Sequence, residues 1–493
     1  MQLQTTQALI AAGLTALVGV ATWLKCRGER GSGGAERELF LAGGGLSWVF
    51  VAGSITITNL GADQLVGMNG NQMLLLCLWE LCAVAGLLML ALVFLPIYYR
   101  NRCATVTELL ERKYGASSIR STIGAIFLIG NIFIYQPIAL YAGALMMKTM
   151  FGLPTPIIVL AALFAVAGSL YAILGGLRAV AVTDTYSGVL LLGMGTLVVW
   201  LCLAAVHFDL SGVPPERLTL IGGPHSPIPW TTLLTGMVFI QMFYWCTNQT
   251  ITQRAMASPS LREAQKGVLA AMAVRLLVIP PMVVLPGIVA FKLFGKLGDA
   301  TYGTIVWHVL PPWLAGLFAA AVASAILAHF ASVLNASAAL YVCDLHERYI
   351  DPKPDVRRLS TRACVLFVVV AVAMTPVYDG ADSIINLVQK LNGLTSMPVL
   401  AVFLVALMFR DVDARAAILG LIFGVALYAV FTFVWSPLHY IHMMLVTLLA
   451  CMAVILSVNR WVFRRRSVFT ALRRSPPPGS VAPEMEEGAV SRL

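Results

Sequence analysis

Apolar runs of about 20 residues or more, separated by short polar segments, recur along the whole chain; that length of helix crosses ~30 Å of hydrocarbon at about 1.5 Å per residue. The pattern predicts thirteen spans, at 5–25, 46–72, 73–99, 119–150, 155–175, 179–206, 229–252, 264–294, 312–344, 361–378, 382–409, 413–435 and 439–459. Two of them are not uniformly apolar. The second reads SITITNLGADQLVGMNGNQ over 54–72, and the seventh ends in FYWCTNQTITQR over 243–254. Glycine and asparagine clusters let a helix unwind, and freed backbone groups at membrane depth survive where they line a cavity. Interrupted helices at matching places in two halves mark the midplane binding site of an inverted-repeat transporter. The five-span offset predicts two five-helix repeats, roughly 46–206 and 229–409, with one helix before and two after.

Composition agrees with an all-α polytopic membrane protein: 59% hydrophobic, 11% charged, mean hydropathy +0.85. A net charge of +10 would suit nucleic acid, but the placement of the basic residues removes that reading. With the N-terminus outside and the C-terminus cytoplasmic, 27 of the 33 Lys and Arg residues fall in cytoplasmic segments. That is the positive-inside signal of a plasma (inner) membrane protein in contact with lipid. No basic residue precedes the first span and no small-residue cleavage pattern follows it, so it reads as a retained helix. Nine cysteines are scattered without metal-ligand spacing, so neither zinc nor a disulfide framework is indicated. No nucleophile–base or metal constellation indicates an enzyme, and no obligatory protein partner is evident. The final segment is basic, then Pro-rich and acidic, and reads as disordered.

Several polar groups sit inside spans: Glu80, Asp184, Arg275, His329, Gln389 and Lys390. Each has a structural reading. Glu80 and Arg275 would tie two helices as an ion pair, Lys390 would snorkel, Asp184 would be hydrated near the cytoplasmic end of its span, and His329 would bond a carbonyl. Together with two broken helices, they fit one polar cavity better than separate accidents.

The stretches LFLAGGGLSW, TNLGADQLVGMNG, FLPIYY, TVTELLERKYG, YAILGGLRAVAVTDT, FYWCTNQTITQRAMASPSLREAQKG, ASVLNASAALYVCDLHERYI and NGLTSMPVLAVF occur in this order. In these motifs, over roughly residues 37–460, the chain resembles the sodium/solute symporter family, and most closely its sodium/glucose and sodium/galactose branch. The resemblance implies a leucine-transporter-like five-plus-five inverted repeat with alternating access. Its domain plan is an N-terminal extra helix and loop over 1–36, a core over 37–410, two accessory helices over 411–460, and a cytoplasmic tail over 461–493. The branch's further helix after residue 460 has no expected counterpart.

Carried over by position, the resemblance implies a sugar site at Gln64, Glu80, Asn248, Arg275 and Gln389, with Arg275 where the branch has lysine. Amides, a carboxylate and a cation together meet hydroxyls that both donate and accept. Thr250 stands in place of the inner-gate aromatic, and Asn131 and Tyr135 replace the tyrosine and asparagine of the third core helix. For the coupling ion, the resemblance assigns carbonyls at Ile57, Leu60 and Ala325, while the two hydroxyl positions fall on Ala328 and His329. Na⁺ prefers several oxygen ligands, by analogy with other hard cations, so a three-carbonyl remnant holds it poorly. Asp184 is placed on the ion pathway. No cofactor is implied beyond Na⁺ or H⁺ as coupling ion. Beside the sugar transporter stand two alternatives: sodium coupling of another small polar solute through a displaced site using Ser324 and Ser332, and a transport-fold sensor, against which the short tail speaks.

Overall fold

The structure, a computed structural model, describes residues 5–26, 35–380 and 383–470. It is built from fifteen principal helices: α1 Thr5–Cys26, α2 Trp48–Asn59, α3 Ala62–Gly70, α4 Leu74–Asn101, α5 Ser117–Phe151, α6 Ile157–Ile173, α7 Gly175–Ala205, α8 Gly236–Cys246, α9 Gln249–Met256, α10 Leu261–Phe294, α11 Pro312–Tyr349, α12 Val356–Tyr378, α13 Ile384–Met408, α14 Ala414–Val434 and α15 Tyr440–Trp461. Among the described residues nine helices are long and apolar enough to cross a membrane, and α2 with α3 form a tenth span bent by 46°. Part of α1, α6 and α8 are shorter apolar helices. Each of the thirteen spans read from the hydropathy pattern therefore has a helical counterpart.

The breaks follow the sequence. Between α2 and α3 the chain leaves helical geometry at Leu60 and Gly61. A Cβ on Gly61 would lie 2.2 Å from Asp63 Oδ1 and 3.4 Å from His329 Cγ, so only glycine permits this approach. The seventh span unwinds at Thr247 and Asn248, and the Asn248 side chain caps α9 by accepting from the Thr250 amide at 2.9 Å. Gly176, with φ of 56°, interrupts helical geometry at the start of α7; a Cβ there would meet the Leu39 carbonyl at 2.7 Å.

α11 is almost wholly buried and packs along the α6–α7 stretch and α1, while α2 packs on α7 and α10, and α8 on α4. Small residues on α11 permit close helix approach where lipid gives no hydrophobic drive to association. Two expectations need correction here. The tail is not unstructured from 461: Val468–Phe469 pair antiparallel with Phe409–Arg410, and the Thr470 amide donates to the Met408 carbonyl at 2.9 Å. The rest of the tail, from 471, lies outside the described residues. Arg254 and Arg120, counted among loop charges, are both buried; Arg120 pairs with Asp344 at 2.7 Å.

Candidate functional site

The helix break, α4, α5, α8, α10, α11 and α13 surround one cavity. Its polar wall carries two hydrogen-bonded groups, one around Glu80 and one on α13. Arg275 Nη1 donates to Glu80 Oε2, and Gln64 Nε2 donates to Glu80 Oε1. Glu80 and Arg275 are 1% and 0% exposed, so this is a desolvated ion pair whose charges need full pairing. The Arg275 guanidinium lies 4.7 Å from the Trp245 ring centroid, and the indole N–H donates to Gln241 Oε1 at 2.9 Å. With its amide turned to satisfy both neighbours, Asn59 accepts from both terminal nitrogens of Arg275 and donates to the Tyr244 hydroxyl at 2.7 Å. On the α13 side, Asn392 Nδ2 donates to Gln389 Oε1 at 3.2 Å, and the Tyr135 hydroxyl donates to Asn392 Oδ1 at 2.5 Å. Tyr135 ends a π-helical turn over Asn131–Tyr135, a local widening that often marks functional positions.

Gln64, Glu80, Arg275 and Gln389 thus share one cavity. Asn248 does not line it. It lines a separate small cavity with Asn131, Gln249 and Thr395, and Tyr135 alone of these site residues borders both. The cause is its backbone role, because the Asn248 carbonyl-type oxygen is committed to capping α9. Thr250 is buried next to it, and its main-chain carbonyl accepts from Arg254 Nη1.

The positions assigned to the coupling ion are all buried: Ile57, Leu60, Ala325, Ala328 and, at 8% exposure, His329. The His329 ring, however, reaches the wall of the large cavity beside Gly61, and its Nδ1 has no protein partner. Asp184 is not hydrated. It is fully buried, accepting from Ser54 Oγ and lying within hydrogen-bond reach of Thr58 and Ser332, with Arg254 Nε at 3.7 Å. Arg254 Nε also donates to Ser54 Oγ at 2.7 Å. Glu80 takes Arg275, as the ion-pair reading expected, and Asp184 pairs with Arg254. Of the two serines weighed for a displaced sodium site, Ser332 is engaged by Asp184, while Ser324 Oγ is buried without a partner.

Asn59, Asp63, Tyr244, Asn392 and Arg254 were not among the candidate site residues. Asn59 and Asp63 carried a signal, since they belong to the polar run that breaks the second span; Arg254 read as a loop charge.

Residues 39–424 match the family model described as sodium:solute symporter family. The chain is 32% identical to the uncharacterized symporter YidK of Escherichia coli (strain K12), across 95% of this chain and 86% of that one. It is 29% identical to a sodium/glucose cotransporter of Vibrio parahaemolyticus, with coverage of 89% and 87%, and 27% identical to the human sodium/myo-inositol cotransporter 2, with coverage of 83% and 67%. Its fold superposes on a Na⁺-coupled sialic acid symporter with a TM-score of 0.80 at 15% identity, covering 93% of this chain and 98% of that one. The broken helices and inverted-repeat core are therefore those of the leucine-transporter fold. By sequence and by fold, this chain is an integral membrane transporter that belongs to the sodium:solute symporter family.

Proposed function

We propose that this transporter moves a sugar or a closely similar polyol by alternating access around the cavity walled by Gln64, Glu80, Arg275 and Gln389. The observation that carries this reading is the connected set of amides, carboxylate and guanidinium facing one cavity between two broken spans. Such a set can donate to and accept from several ring hydroxyls at once. Relatives that are a sodium/glucose and a sodium/myo-inositol cotransporter support a polyhydroxylated ring as cargo.

Sodium is not held at the family's usual position in this reading. Ala328 and His329 bring no hydroxyl there, which leaves the carbonyls of Ile57, Leu60 and Ala325. A displaced site is the second reading, favoured by the oxygens of Ser54, Thr58, Ser332 and Asp184 converging on one spot. Arg254, 3.7 Å from the same carboxylate, opposes it by already supplying a positive charge. The N-terminus lies outside and the C-terminus in the cytoplasm, as the loop charges support. Uptake of a labelled sugar panel into proteoliposomes, with sodium and pH gradients imposed separately, tests solute and coupling together. No flux of any sugar or polyol would overturn the reading.

A further inference from the structure

The Glu80–Arg275 pair balances its own charge, but the cavity holds a third ionisable group with no such balance. Asp63, in the first turn of α3, lines the cavity, and its Oδ1 is buried without a hydrogen-bond partner. Among the described residues no lysine or arginine makes an ion pair with it. The α3 N-terminus offsets only a fraction of a charge. Facing Asp63 across Gly61 is His329, 92% buried, whose Nδ1 is also unpartnered. Two side chains from two different helices, each with a polar atom that lacks a partner, thus line one space. Other charged or titratable side chains on the cavity wall are Glu80 and Arg275, committed to each other, and Tyr135 and Tyr244, committed to Asn392 and Asn59. Asp63 is thus the carboxylate on this wall that no lysine or arginine meets among the described residues.

We propose that Asp63, with His329 opposite, is a subsite for an ammonium group carried by the solute, so that the cargo class is an amino sugar or aminopolyol. A half-buried carboxylate and a ring nitrogen in its acceptor tautomer are two acceptors for a group that brings three donors. Aromatic walls at Trp79, Tyr135, Tyr244 and Trp245 favour an ammonium further. Sodium fits less well here, since it prefers several oxygens and the unpartnered atoms comprise one carboxylate oxygen and a nitrogen. The remaining wall, at Gln64, Glu80 and Gln389, is left to the hydroxyls. The proposal rests on the transporter reading above and adds charge to its solute.

The test is direct binding to the purified full chain in nanodiscs, by calorimetry, with glucose, 2-amino-2-deoxyglucose, its N-acetyl derivative and ethanolamine as probes. In the parent the amino sugar should bind at least tenfold more tightly than glucose or the N-acetyl form. That ratio should fall at least tenfold in Asp63→Asn and survive in part in Asp63→Glu. Equal binding of the three sugars in the parent overturns the proposal whether or not the variants fold, and a preference that persists in Asp63→Asn does the same. Glucose binding that rises with sodium or acid, and loses that rise in Asp63→Asn, also overturns it, because the missing charge is then an ion or a proton. If no sugar binds but ethanolamine does, in an Asp63-dependent way, the sugar reading falls and the ammonium subsite stands. If no probe binds, both fall.

Discussion

Tyr135 and Asn392 join the π-helical turn of α5 to α13 through a 2.5 Å hydrogen bond, on the boundary between the large and the small cavity. Removing the hydroxyl in Tyr135→Phe leaves the Asn392 amide oxygen short of its donor while the ring still fills the space. An unmade bond of this kind costs ~1–3 kcal/mol. Solute affinity should fall by about five- to 150-fold on that scale, measured as Kd by calorimetry, and an unchanged Kd would place Asn392 outside the solute's wall.

Gln64 and Gln389 are the amides of the proposed solute site. Gln64→Ala deprives Glu80 Oε1 of its donor as well as the solute of a partner, whereas Gln389→Ala removes a group bonded only to Asn392. Both should weaken binding by ~1–3 kcal/mol. Only Gln64→Ala should also lower the melting temperature, because it disturbs a buried ion pair. Parent-like affinity in both variants would show that the carry-over of the sugar site is wrong.

Arg275 is buried against Glu80, and a buried pair broken on one side costs about 3–5 kcal/mol. Arg275→Lys should fold and keep partial transport, since the charge is retained without the planar fork. Arg275→Met should lose transport and much of its thermal stability, and Glu80→Gln added to it should recover stability but not transport. Full activity of the methionine variant would reduce Arg275 to a structural role.

Coupling is tested at positions 328 and 329. Solute uptake by the parent at matched ionic strength should be the same in sodium, potassium and choline. Ala328→Ser combined with His329→Ser restores two hydroxyls beside the carbonyls of Ile57, Leu60 and Ala325, and should introduce a saturable sodium dependence. A sodium requirement already present in the parent would contradict the reading.

Asp299 lies in the connection between α10 and α11, where burial raises its carboxyl from 3.8 to about 6 against the opposing effect of the Ile384 amide it accepts from at 2.9 Å. Nearby, Asn71 Nδ2 donates to Ser383 Oγ at 3.3 Å, and a Cβ on Gly70 would meet Asp299 Oδ1 at 2.7 Å. A raised carboxyl means the packed state binds more protons than the open one. The contacts between α3 and α13 should therefore be firmest below pH ~4 and weaken as pH rises to about 6, then stay constant. Maleimide labelling of Asn71→Cys, divided by the labelling rate of a free thiol at the same pH, should quicken across that window, and Asp299→Asn should flatten that normalised profile.

Much of this molecule was legible because membrane insertion forces hydropathy and loop charge into the sequence. The thirteen spans and both breaks follow from apolar run length and from the Gly and Asn clusters at 59–71 and 247–248. Pairing was not legible. Whether Arg275 meets Glu80 or Asp184 is set by helix rotation, which the near-uniform apolarity of these spans leaves undetermined. Arg254 looked like a loop charge because it lies in the polar run that follows the seventh span, yet α9 carries it inward to Asp184. Asn248 was assigned by motif to the cavity, and the need of α9 for a cap diverted its side chain.

The Asp184 cluster joins Ser54 of α2 and Arg254 of α9, which lie on the two broken spans, to Asp184 of α7 and Ser332 of α11. If the broken spans rock against α7 and α11, this joint cannot stretch gradually, because a buried carboxylate and guanidinium tolerate no intermediate in which either stands alone. It must pass from one complete set of partners to another. The helices would then move with a catch, resting in two positions and dwelling little between them, so a side chain that never touches the cargo would set the tempo at which the two faces of the membrane take turns.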